Sequence, residues 1–192
     1  MASSPRISET HPALSGERVA FVDARSQRIV LAGLHGRSRH VIRVGRPSDP
    51  GLATASVEGL DLDGTRLAVV WARQSEQCLD VGDEGDDKEG YPWVTEVWIA
   101  HGAKRKRLDR DCGTDESFLA SPSLLSGSVA YLHAGAPSAV LRHRTFGAAP
   151  RPDVPLPGAT TVVCDDDPRT AFVRSVPGTV DRWQIVLRSA AR

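Results

Sequence analysis

The sequence has no surplus of charge of either sign: 24 Lys and Arg offset 24 Asp and Glu. Without a net field, sequence-independent attraction to nucleic acid or to an anionic bilayer has no long-range driving force. Long apolar runs are missing too. No stretch approaches the roughly 18 apolar residues that cross a bilayer, and Met1 to Gly16 (MASSPRISETHPALSG) lacks the apolar centre of a signal peptide. The expectation is no nucleic-acid partner, no membrane partner, and a chain that, as written, stays where it is made. Aromatic residues make up only 5% of the chain, and there are three cysteines, Cys78, Cys112 and Cys164. Their odd number leaves at least one thiol outside any disulfide. A chain this long buries about 70% of its unfolded surface without staples, so the cysteines are not a folding framework.

Helical periodicity is also lacking, and a repeat stands in its place. Four segments end in a turn followed by an apolar run centred on an alanine: PALSGERVAFVDA, EGLDLDGTRLAVVWA, SPSLLSGSVAYLHA and VVCDDDPRTAFVRS, with Ala20, Ala68, Ala130 and Ala171 in corresponding places. A second apolar tetrad follows each: Ile29–Ala32, Val97–Ala100, Ala139–Arg142 and Ile185–Arg188. These tetrads are short, rich in β-branched residues and bounded by Gly, Pro, Ser or Asp, which predicts strands. Asp63-Gly64 predicts a two-residue hairpin turn, with Gly16, Gly127 and Asp167-Pro168 in the equivalent places. A third, charged strand is expected at Arg39–Val44 and Lys104–Leu108, degenerating to Asp153–Leu156 in the third repeat. Once the polar stretch Cys78–Gly90 is set aside, the repeat length is about 40 to 50 residues, the range of a four-stranded propeller blade.

The run Gly59-Leu60-Asp61-Leu62-Asp63-Gly64-Thr65-Arg66-Leu67-Ala68-Val69-Val70 resembles the TolB-like propeller repeats, relatives of WD repeats. The other three repeats keep the apolar strands and lose either the acidic turn residue or the glycine. The resemblance implies an all-β propeller of about four blades of four-stranded antiparallel sheet, one domain over residues 1–192 with repeats near 7–44, 55–110, 117–157 and 160–189. It also implies the family's usual roles: a protein-interaction platform, or the non-catalytic half of a prolyl-oligopeptidase-like enzyme. The last blade is expected to be incomplete, or closed by the N-terminus through Pro5–Glu9. Four blades lie at the bottom of the range of four to eight, so the size argument favours missing blades or a completing subunit. An extracytoplasmic location is expected if the resemblance holds and the N-terminus is incomplete.

Candidate chemistry is sparse. The insertion Leu79–Tyr91 crowds carboxylates and glycines, making Asp80, Asp83, Asp86 and Asp87 weak candidates for a hard cation such as calcium. The spacing fails the EF-hand pattern, and a solvated loop is the simpler reading. Cys78 and Cys112 end strands on one side of the second repeat, which makes them a candidate disulfide at the base of that loop. Tyr91 and Trp93 are candidate partner anchors. His133 and His143 would need a third ligand to bind zinc. The basic run Lys104–Arg107 reads as charges on an outer strand facing water. No GxSxG elbow and no phosphate-binding loop is present. The expected function is a non-enzymatic scaffold for a protein or peptide, without a cofactor. The alternatives are a substrate-gating portion of a larger hydrolase and a calcium-binding extracytoplasmic module.

Overall fold

A computed structural model describes residues 9–23, 28–35, 39–42, 56–74, 78, 93–113, 117–125, 127–135, 139–145, 152–166, 169–176 and 182–189. Their regular structure is all strand. Blade 1 comprises β1 (Glu9–Ser15), β2 (Arg18–Asp23), β3 (Arg28–Gly33) and β4 (Arg39–Ile42). Blade 2 comprises β5 (Ser56–Asp63), β6 (Arg66–Gln74), β7 (Trp93–His101) and β8 (Lys104–Asp111). Blade 3 is β9 (Phe118–Leu125), β10 (Ser128–Ala134), β11 (Val140–Thr145) and β12 (Val154–Pro155), and blade 4 is β13 (Ala159–Asp166), β14 (Arg169–Ser175) and β15 (Trp183–Ser189). Each is an antiparallel meander in chain order, and the fourth has three strands among the described residues.

The short turns explain the register. Asp63 pairs with Arg66, so the two turn residues of blade 2 are Gly64 and Thr65, one place later than Asp63-Gly64. Gly64 has φ +56°, as do Gly16 (+57°) and Gly102 (+58°) in the matching hairpins. A positive φ at the first turn position matches the twist of paired strands and carries no Cβ penalty in glycine. Glu9 pairs with Asp23 on the innermost strand of blade 1, so it does not supply a fourth strand to blade 4; Pro5 to Ser8 lie outside the described residues.

The innermost strands β1, β5, β9 and β13 pack in series, and each second strand lies against the innermost strand of the next blade. This explains the repeated alanine. Ala20, Ala68 and Ala130 are fully buried where the following blade covers them, and a larger side chain would hold the blades apart. Ala171, with no described blade beyond it, is half-buried. The apolar layers alternate with the blades. Ala20, Val22 and Ile29 meet Leu67, Val69 and Trp71 between blades 1 and 2. Ala68, Val70 and Val97 meet Val129, Tyr131 and Leu119 between blades 2 and 3. Ala130, Leu132 and Leu141 meet Ala159 and Phe172 between blades 3 and 4. Among the described residues β13 does not pack on β1 as its neighbours pack on one another, and the ring stays open.

Candidate partner-binding surface

A carboxylate interrupts the apolar strand β7. Glu96 is almost wholly buried, which is tolerable only with counter-charges and donors. Arg107 Nη1 lies 2.9 Å from it, Arg73 Nη2 3.3 Å and Arg110 Nε 3.9 Å, and Trp98 Nε1 donates to Oε2 at 2.9 Å. Burial alone would raise its pKa; the Trp98 hydrogen bond, the Arg73 charge and the arginine hydrogen bonds outweigh it and hold Glu96 below the ordinary glutamate range. All four residues of the basic run, Lys104 to Arg107, are exposed, and Arg107 alone of them also reaches Glu96. Trp98 is half-buried against the layer between blades 1 and 2.

Two further carboxylates tie β8 to blade 3. Asp109 Oδ2 accepts from the fully buried Tyr131 hydroxyl at 2.6 Å and from Arg142 Nη1 at 2.9 Å. Burial acts upward on Asp109, but these donors and the Arg110 amide hold its pKa below the ordinary aspartate value. Burial and the neighbouring Asp109 together push the Tyr131 phenol far above its ordinary value. Asp111 Oδ1 accepts from the Ser117 hydroxyl at 2.8 Å, and its Oδ2 faces His133 Nε2 at 2.7 Å. Here the carboxylate sits between serine and histidine. That order holds the hydroxyl in place, whereas acyl-transfer chemistry puts a base next to the serine.

These ties converge on one end of blades 2 and 3. Cys78 and Cys112 are joined by a disulfide there, with Cα atoms 5.6 Å apart, and Arg110 Nη2 lies 3.4 Å from the Cys78 sulfur. Gly113 follows directly, with φ +65°, and a Cβ at that position would meet the Trp93 carbonyl oxygen at 2.7 Å. Thr95 Oγ1 accepts from the Leu119 amide at 2.8 Å. The start of β7 and the start of β9 are thus drawn together, and Trp93 and Phe118, both exposed, stand at those starts.

Of the candidates named from sequence, Trp93, Cys78 and Cys112 meet at this end; Asp80, Asp83, Asp86, Asp87 and Tyr91 lie outside the described residues. Among the described residues no group of three or more His, Cys, Asp or Glu is placed to hold a metal ion. His133 and His143 occupy opposite faces of blade 3, in register with Val140 and Ala130 respectively, so they cannot share one. Phe118 and Glu96 were not apparent as site residues. A lone carboxylate inside Val94-Thr95-Glu96-Val97-Trp98-Ile99 is the signal for the second; nothing in the spacing reveals that Phe118 starts the strand that packs on β7. At the opposite end of blades 1 and 2 is an open cleft of about 550 Å³, lined in part by Arg18, His40, Val41, Thr65 and Arg105.

No protein-family model and no curated protein matches the chain. Among the solved structures that share its shape are two from peptidases. One is the uncomplexed acylaminoacyl peptidase of Pyrococcus horikoshii, with 13% identity and a TM-score of 0.58 over 95% of this chain and 31% of that one. The other is the β-propeller domain of the Trilobed protease from Pyrococcus furiosus, which has an open velcro topology, with 12% identity and a TM-score of 0.56 over 99% and 57%. The fold is an open β-propeller. The chain spans about a third of the first neighbour and somewhat over half of the second.

Proposed function

We propose that the chain is a non-enzymatic propeller scaffold, of the TolB-like kind its second repeat resembles, that binds a peptide or protein segment at the disulfide-bridged end of blades 2 and 3. The observation that carries this reading is that two exposed aromatics, Trp93 and Phe118, begin the strands β7 and β9, which are held together around Gly113 and Thr95. Rigid aromatic anchors on a fixed backbone supply large contact area at small entropic cost. The segment leading into Trp93 contains Asp80, Asp83, Glu84, Asp86, Asp87 and Glu89, so the favoured ligand joins an apolar anchor to basic residues. Selection from a displayed random-peptide library tests it. Enriched peptides should carry that pattern and bind the Trp93→Ala/Phe118→Ala chain at least tenfold more weakly; equal binding to both chains contradicts the proposal.

A second reading is supported by the two solved neighbours, both from peptidases. In it these blades are the substrate-admitting portion of a larger hydrolase whose catalytic residues lie outside this chain. Purified residues 1–192 should then turn over no peptide or ester substrate, as the scaffold reading also expects. Turnover would overturn both.

A further inference from the structure

The disulfide of blade 2 joins two strand ends across a third strand. Gln74, the last residue of β6, pairs with Trp93 at the start of β7, and Asp111, the last residue of β8, pairs with Thr95. Cys78 comes four residues after the first of these ends and Cys112 directly after the second. The bond therefore spans the start of β7 and lies outside both ladders. Unbroken antiparallel pairing from Arg66 to Gln74 holds β6 on β7, and pairing from Lys104 to Asp111 holds β8 on it. These ladders do not need the sulfur bridge to keep their register.

The two sulfurs stand in different surroundings. Cys78 is 4% exposed, and its sulfur lies 3.4 Å from Nη2 of Arg110. Nε of the same guanidinium lies 3.9 Å from the buried Glu96 carboxylate, so the cation is held from one side with its other side turned to the sulfur. Cys112 is half-buried and precedes the exposed Gly113, which makes it the more accessible of the pair. A guanidinium beside a cysteine stabilises its thiolate. A disulfide opens faster when the departing sulfur is the more stable thiolate, and only at a sulfur the incoming thiol can reach. Access thus selects Cys112 as the sulfur attacked, and charge selects Cys78 as the one that leaves.

We propose that Cys78–Cys112 is a directional thiol-exchange site, opened in the folded protein by a small dithiol reductant that attacks Cys112 and displaces Cys78 toward Arg110. In the first step a thiolate of the reductant forms a bond to the Cys112 sulfur, the Cys78–Cys112 bond breaks, and its electron pair leaves on Cys78 as a thiolate beside the guanidinium. In the second, the other thiol of the reductant loses its proton and attacks the sulfur bound to Cys112. The reductant departs as a cyclic disulfide, two electrons poorer, and the Cys112 thiolate takes up a proton. Opening unties from β8 the chain that follows Cys78, whose sequence carries Asp80, Asp83, Glu84, Asp86, Asp87 and Glu89, while β7 keeps both ladders. Exchange is read without a ligand, so it stands or falls separately from partner binding at Trp93.

Brief treatment of the native chain with glutathione, a monothiol that stops at the first step, followed by trapping with N-ethylmaleimide and fragment mass spectrometry, tests the direction. The expected product carries glutathione on Cys112 and maleimide on Cys78, with Cys164 read on its own fragment. Glutathione on Cys78, or on both cysteines equally, overturns the proposal. Dithiothreitol then tests the role of Arg110 through the rate of opening. Arg110→Gln should slow it roughly threefold or more, and Arg110→Lys, which keeps a charge, should restore most of the rate. A merely structural arginine predicts the opposite sign, because a loosened site opens faster, and a faster Arg110→Gln contradicts the assignment. Opening no faster than global unfolding, measured on the same sample in a denaturant series, also overturns it. If Arg110→Gln fails to fold, the position of glutathione in the unmodified chain decides.

Discussion

Glu96 shows how one residue couples burial, charge and blade packing. Glu96→Gln leaves Arg73 and Arg107 without their counter-charge, and breaking a buried pair costs about 3 kcal/mol when one partner still reaches water. Chemical denaturation should show that loss as a lower midpoint at unchanged slope. The same carboxylate governs acid stability together with Asp109. Both have pKa values lowered by folding, so the stability they contribute is present above the ordinary values of 4.5 and 3.8 and drains away as the pH falls through the lowered ones. Asp61 works in the opposite direction, because burial raises its pKa against its backbone hydrogen bonds from Leu124 and Leu62. Melting temperature measured from pH 7 to pH 3 should therefore fall mostly below pH 4.5, and Glu96→Gln should flatten that fall. At Gly113 the limit is steric: an alanine there needs a left-handed backbone, at about 1–2 kcal/mol, and displaces the Trp93 carbonyl. Gly113→Ala should weaken both stability and binding at Trp93, readable by thermal melting and by titration with a selected peptide.

At the scale of elements, the strands were legible in the sequence because two apolar runs per repeat and glycine punctuation agree. The tetrads at Ile29, Val97, Ala139 and Ile185 fall on β3, β7, β11 and β15, and the repeated alanines fall on the strands before them. What was not legible is the irregularity of the innermost strands. Each carries a shift of register, between Thr10 and Ala13, Val57 and Gly59, across β9 opposite Ala130 to Leu132, and between Ala159 and Thr161. His11 and Ser121 take positive φ there, 52° and 50°, each immediately before a proline. A bulge depends on which neighbour presses on the strand, and no local pattern of side chains encodes that. Gly59 shows the pressure directly: a Cβ would stand 2.7 Å from Pro122 Cδ, so Gly59→Ala should cost about 1–3 kcal/mol by overpacking. The disulfide belongs to this scale as well. Cys78 and Cys112 are 34 residues apart, and opening a loop of that length costs about 3–4 kcal/mol through the unfolded chain. Denaturation with and without reductant should show it, and peptide binding at Trp93 should weaken in the reduced protein.

Across the whole molecule, the blade series explains where most of the exposed large apolar side chains lie: on its two outer blades and at the bridged end of blades 2 and 3. The candidate site was half legible. Trp93 stood out because an aromatic follows an acidic segment, while Phe118 joins the site only because successive blades place the starts of β7 and β9 side by side. The basic run does face water as its composition suggests, and what it did not reveal is that the exposed Arg107 also reaches Glu96. Amide hydrogen exchange on the native chain, with and without a selected peptide, tests the account most directly. The expected result is slowest exchange in the second strands β2, β6 and β10, and peptide-induced slowing confined to residues 93–95 and 111–119. Slowing centred on the open cleft at Arg18 and Arg105 would contradict it.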